Sequence, residues 1–88
     1  MSWSIRISSD AEKYFQKLDK KRRKRIKERL LTLSQQENPL ENPQVKALTG
    51  ELKGFYRLRI GNYRVIFALL AKEEIIAVVN IFPRGNAY

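Results

Sequence analysis

Three arginines, Arg57, Arg59 and Arg64, fall within one short stretch, FYRLRIGNYRVIFALL, residues 55 to 70. Guanidinium groups are planar, permanently charged and donate hydrogen bonds in pairs, so several on one surface suit the binding of phosphates. The stretch reads as two β-strands joined by a tight turn at Gly61-Asn62, because glycine takes the positive φ that a two-residue hairpin demands. If Ile60 and Tyr63 flank that turn, Leu58 faces Val65, Arg59 faces Arg64 and Arg57 faces Ile66. Side chains alternate between the two faces of a strand. Tyr56, Leu58 and Ile60 then share a face with Tyr63, Val65 and Phe67, and all three arginines point the other way. Like charges directly opposite one another destabilise a sheet. The fold gains nothing from that arrangement, whereas a polyanion-binding surface does.

The elements that position this hairpin are legible on either side of it. Residues 2 to 8 alternate, with Trp3, Ile5 and Ile7 on one face, and predict a strand. Ser9 followed by Glu12 predicts a capping box at the start of a helix whose apolar stripe is Ala11, Tyr14, Phe15 and Leu18. Asp19 either ends this helix or caps the next. A second helix is expected over about residues 20 to 35, with Ile26, Leu30 and Leu33 as its stripe. Its first turns carry six consecutive cations, Lys20, Lys21, Arg22, Arg23, Lys24 and Arg25, where the helix macrodipole disfavours positive charge. These residues form either a solvated face or a stripe that contacts the phosphates of a nucleic acid. Residues 36 to 54 are expected to be a connector, because two Asn-Pro pairs and two glycines break any helix; Val45, Ala47, Leu48 and Leu52 pin it to the core. After the hairpin and a turn near Lys72-Glu73, residues 75 to 82 predict a strand apolar on both faces, ended by Pro83. Arg84 and Tyr88 then fall just beyond the sheet.

The expected fold class is α+β: an N-terminal strand, a two-helix hairpin and a three-stranded antiparallel meander. Both helices pack on the face of Tyr56, Leu58 and Val65, and the arginine face stays open. The expected core includes Leu18, Ile26, Leu30, Leu58, Val65, Phe67 and Val79, with Tyr63 also assigned to it. The 88 residues make one domain with room for a single core. There is no cysteine and no histidine, which removes disulfides, thiolate metal sites and the commonest acid–base group near neutral pH. The 18 Lys and Arg against 9 Asp and Glu give a net charge of +9, which argues for a nucleic-acid, acidic-protein or anionic-membrane partner. The first residues lack a basic segment followed by an apolar one, and no apolar run is long enough to span a bilayer, so a cytoplasmic protein without a membrane partner is expected.

Four pieces of the sequence, in order, resemble the RelE/ParE toxin superfamily: Leu48-x-Gly50, Tyr56-Arg57-x-Arg59, Gly61-x-Tyr63-Arg64-Val65 and Arg84-x3-Tyr88. The resemblance covers nearly the whole chain, and among the branches of the superfamily it is to the RelE-like toxins. It implies a RelE-like fold and a toxin of a type II toxin–antitoxin pair that cuts mRNA in the ribosomal A site. The family site of two basic residues on one strand, an arginine on the next, a later arginine and a C-terminal tyrosine maps onto Arg57, Arg59, Arg64, Arg84 and Tyr88. It implies attack of a ribose 2′-hydroxyl on its own phosphate with no cofactor or metal, the arginines stabilising the negative charge of the phosphorane. Arginine stands here where the family often has lysine, and a permanently protonated guanidinium is a poor general base, so the expected role is charge stabilisation. The implied partners are a cognate antitoxin, the ribosome with mRNA, and promoter DNA only as the toxin–antitoxin complex. The alternatives are a ParE-like inhibitor of DNA gyrase and a non-enzymatic basic RNA-binding protein.

Overall fold

The computed structural model describes residues 2–83. The arginine hairpin is built as its turn chemistry dictates. Strands Tyr56–Ile60 and Tyr63–Leu70 pair antiparallel with Ile60 opposite Tyr63, Arg59 opposite Arg64, Leu58 opposite Val65 and Arg57 opposite Ile66. Gly61 has φ +54° and Asn62 has no positive φ, the pattern of a II′ turn, whose twist matches that of the strands it joins. Around the hairpin lie a strand at Ser4–Ile7 (β1), helices at Ser9–Lys17 (α1) and Lys20–Gln35 (α2), a three-residue strand at Val45–Ala47 (β2) and a long strand at Ile75–Pro83 (β5), the hairpin strands being β3 and β4. They form one five-stranded sheet in the order β1-β5-β4-β3-β2. Only the β1–β5 pairing is parallel.

Both helices lie on the predicted face. Ala11 of α1 and Ile26, Leu30 and Leu33 of α2 join Leu58, Ile60, Val65, Phe67, Ile76, Val78 and Ile81 in one buried cluster, with Leu18 and Tyr63 packed half-buried against it. The rings of Tyr56 and Phe67, cross-strand partners, stand 5.7 Å apart. None of the described helices is long and apolar enough to cross a membrane.

Three details depart from the sequence reading. The cap of α1 is Ser8, not Ser9: its hydroxyl accepts from the Ala11 N–H at 3.2 Å and donates to the Val79 carbonyl at 2.9 Å. Glu12 does not reach back to close a capping box; its carboxylate accepts from the Gln16 amide. Val79 is 38% exposed and Val78 takes its place in the core. The β4–β5 register shifts at Ile66/Phe67, so that Asn80 pairs with Ile66 but Val78 with Phe67, and Val79 is the extra residue of a β-bulge. Finally, the connector contributes β2 and two single 3-10 turns, at Pro39–Glu41 and Gly50–Leu52, so β3 is not an edge strand. Val45 and Leu48 are half-buried, as is Leu52, but Ala47 is exposed.

Candidate functional site

The strand positions that face away from the helices carry the charge. Arg6 of β1, Lys46 of β2, Arg57 and Arg59 of β3 and Arg64 of β4 all lie on that face by register, and Lys46 is the direct partner of Arg57. None of the described strands contains an acidic residue. The Arg59 backbone N–H donates to the Gln44 carbonyl at 3.0 Å, away from β4. Arg59 and Arg64 are therefore a non-hydrogen-bonded pair, the type in which facing side chains start closest, about 4.5 Å between Cα atoms. Two like-charge pairs thus stand side by side, Arg59–Arg64 and Lys46–Arg57. Lys46 escaped the sequence reading because a three-residue strand between proline and glycine shows no periodicity; its only signal is the alternation Val-Lys-Ala.

The arginine face is less open than its sequence pattern suggests. Ile66, on the same face, is 1% exposed, and Arg57 and Arg64 are half-buried while Arg59 is exposed. Ile66 has Arg57 and Asn80 as its partners across the two ladders. Long arginine stems lie readily over such an apolar residue, and part of each guanidinium is withdrawn from solvent with them, the Arg57 Nε and the Arg64 Nη1 both being buried. The Arg57 Nε is buried and has no acceptor among the described residues, so that atom is committed to the protein side of the face. Arg84 and Tyr88, the other two predicted site residues, lie outside the described residues.

The basic run on α2 sits in the other layer, on the helix side of the sheet, and helical geometry divides it. Lys21, Arg22 and Arg25 line a groove of about 430 Å³ with Asn62 and Tyr63 of the hairpin turn. Lys20, Arg23 and Lys24, with Lys27 and Phe15, line a second, shallower depression toward α1. The run is therefore not one stripe. Asp19 caps α2 rather than ending α1: its carboxylate accepts from the Arg22 N–H at 2.9 Å and pairs with the Arg22 guanidinium at 2.8 Å. That backbone hydrogen bond foremost, then the charges of Arg22 and Lys21, hold the Asp19 carboxyl below its ordinary pKa. Arg25 lies against the turn itself. A β-carbon built on Gly61 would stand 2.8 Å from one Arg25 terminal nitrogen and 2.9 Å from its Cζ. Tyr63 is half-buried at the groove instead of sealed in the core, and burial first, then Tyr63, raises the pKa of the neighbouring Tyr14 phenol. The turn thus joins the two basic surfaces, with Arg25 on its helix side and the Arg59–Arg64 pair next to it on the other.

Known proteins are similar to this chain in both sequence and arrangement. A family model described as the ParE toxin of the type II toxin–antitoxin system, parDE, matches residues 5–88. A relative named RelE1 in Methanocaldococcus jannaschii is 32% identical over 88 residues, spanning 100% of this chain and 97% of that protein. The solved archaeal RelE–RelB complex from Pyrococcus horikoshii superposes with a TM-score of 0.79 at 32% identity, covering 99% of this chain and 100% of that one. The RelBE2 toxin–antitoxin complex from Mycobacterium tuberculosis gives a TM-score of 0.83 at 22% identity over 98% of this chain and 95% of that one, a likeness of fold. A family model spanning almost the entire sequence and a full-length relative converge with the sheet order and the helix placement: the chain belongs to the RelE/ParE superfamily of toxins of type II toxin–antitoxin systems.

Proposed function

We propose that the protein is a ribosome-dependent endoribonuclease that cuts mRNA in the A site and so stops translation. The observation that carries the reading is the Arg59–Arg64 pair beside Lys46–Arg57 on a sheet whose described strands have no acidic residue. Opposed cations weaken a sheet, and the retained repulsion is accounted for by a phosphate that binds between them. In the reaction the 2′-oxygen bonds to phosphorus and the bond to the 5′-oxygen breaks. One proton leaves the 2′-hydroxyl and one arrives on the departing oxygen, leaving a 2′,3′-cyclic phosphate and a 5′-hydroxyl. Arg57 and Arg64 hold the phosphate, and Arg59 adds a third charge where the phosphorane develops its extra negative charge. From the resemblance, Arg84 serves the leaving oxygen and Tyr88 orients the 2′-hydroxyl or stacks on a base. The solved RelE–RelB complex pairs such a toxin with an antitoxin, and a cognate antitoxin is the partner proposed here; from the resemblance, it covers the basic face and the pair binds its own promoter.

A second reading follows from the matching model's description as a ParE toxin: a protein that poisons DNA gyrase without cleaving RNA. Primer extension on mRNA translated in a purified system, with and without ribosomes, separates the two. We expect cuts only with ribosomes, ends bearing a 2′,3′-cyclic phosphate, loss of cutting in Arg64→Ala, and no effect of EDTA when free magnesium is kept sufficient for intact ribosomes. Products with a 5′-phosphate would mean attack by water and would overturn the assignment. Uncut mRNA together with stalled gyrase would favour the second reading.

A further inference from the structure

The groove between the start of α2 and the β3–β4 turn is not used by the reaction described above. Its lining is three cations, an amide and a phenol, with no carboxylate: Lys21, Arg22, Arg25, Asn62 and Tyr63. Arg22 is bound to Asp19, the one ion pair between described residues, which leaves Lys21 and Arg25 without an ion-pair partner among the described residues. These two stand at i and i+4 on one side of the helix, a spacing at which like charges destabilise it. They also stand in its first turns, where the macrodipole opposes them and where no acidic residue follows the cap. The sequence thus places two unfavourable charges together on the wall of a concave surface. The Arg25 guanidinium lies directly over the turn, within about 3 Å of where a Gly61 β-carbon would stand, so its charge is presented at the groove wall. Neither the Asn62 amide nor the Tyr63 hydroxyl has a hydrogen-bond partner among the described residues, so both are available as donors.

We infer that this groove is a second phosphate site that holds the backbone of an RNA strand running around the hairpin turn from the Arg59–Arg64 face. Lys21 and Arg25 neutralise the phosphate, Asn62 donates to it, and the Tyr63 ring offers a surface on which the adjoining base stacks. Lys20, Arg23 and Lys24 face the other depression and take no part. The proposal rests on the endoribonuclease reading for its choice of RNA as the polymer, but not for the existence of the site.

The test reads binding without cleavage. The affinity of the intact protein for fluorescent octauridylate is measured by anisotropy across a salt series, for the native chain and for variants whose melting temperatures are shown to match it. Lys21→Gln/Arg25→Gln should weaken binding roughly tenfold and flatten the log–log salt slope by about 0.7, the value for one phosphate contact on a single strand. Lys20→Gln/Lys24→Gln should change neither quantity by a comparable amount. Arg25→Lys, which keeps the charge and loses the fork, should lower affinity several-fold at an unchanged slope. Equal effects of the two double variants would overturn the site in favour of a diffuse charge effect, as would Arg25→Lys binding like the native chain; no effect of either double variant would overturn it by removing the helix start from the binding surface. Octathymidylate bound as tightly, with the same dependence on the variants, would overturn the assignment to RNA. A groove that behaves as expected in a protein that leaves ribosomal mRNA uncut would retire the endoribonuclease reading and keep the site. Cleavage with an unchanged salt slope would do the reverse.

Discussion

Replacing Arg59 with threonine should separate stability from activity in opposite directions. Arg59 is exposed and faces the half-buried Arg64 across a non-hydrogen-bonded position. Two unit charges about 7 Å apart in water repel by roughly 0.6 kcal/mol, and opposed like charges on a sheet cost up to about 1 kcal/mol. Threonine is a good strand residue and introduces no void at an exposed position. Allowing for screening at physiological salt, the variant should gain about 0.5 kcal/mol, or roughly 2–4 °C in melting temperature for a domain of this size, with a larger gain at low salt. Its cleavage of mRNA on programmed ribosomes should fall, by analogy with the loss of one oxyanion donor, by about 2–4 kcal/mol in the barrier, or ~30- to 1000-fold in rate. Calorimetry of the toxin without antitoxin and a cleavage time course on the same preparation give the two numbers. A variant that melts lower yet cuts at the native rate would refute the reasoning, since Arg59 would then be holding the sheet together rather than serving a phosphate.

Leu30 is 3% exposed in the cluster under the sheet whereas Val79 sits on the bulge, so Leu30→Ala should cost ~2–5 kcal/mol and Val79→Ala under about 1 kcal/mol, both read from denaturant midpoints. Equal losses would show that the bulge is misplaced. Asp19→Ala should lower the melting temperature at neutral pH, because the capping carboxylate has its pKa depressed in the fold. Its contribution is present above the ordinary carboxylate pKa and is lost as pH falls through the depressed value. The gap between the native and variant melting curves should therefore close in strong acid, and a gap independent of pH would mean that the charged cap is not what holds the helix start.

How far the sequence could be read depended on which residues carry unambiguous backbone chemistry. Gly61 fixed the turn, the turn fixed the register, and the register put Arg57, Arg59 and Arg64 on one face and Leu58, Val65 and Phe67 on the other. The bulge had no such marker. Val78 and Val79 are chemically identical neighbours in an all-apolar run, and only the mismatch between β4 and β5 decides which of them turns inward. Ser8 and Ser9 were ambiguous for the same reason; the cap fell to Ser8 because its hydroxyl also reaches the Val79 carbonyl, a contact far away in sequence. The six cations of α2 occupy every side of the helix, so their division into two groups follows from where the hairpin turn docks and not from their spacing. Lys46 joined the site only through the pairing of β2 with β3.

The parallel β1–β5 pairing has a consequence for how the protein comes into being. β5 lies between β1 and β4, yet it is the last of the described strands to be synthesised. The bond from Ser8 to Val79 closes a loop of 71 residues. Contacts of such separation form late and slowly, because the entropy of closing the loop is lost before they are made. Until β5 emerges, β1 has no partner and the hairpin has no second neighbour, so the nascent chain cannot assemble the sheet that carries its arginines. On the proposed function, the nascent chain would thus be inert toward the ribosome that is making it and become competent only after β5 is free, an interval in which an antitoxin already present can meet it first.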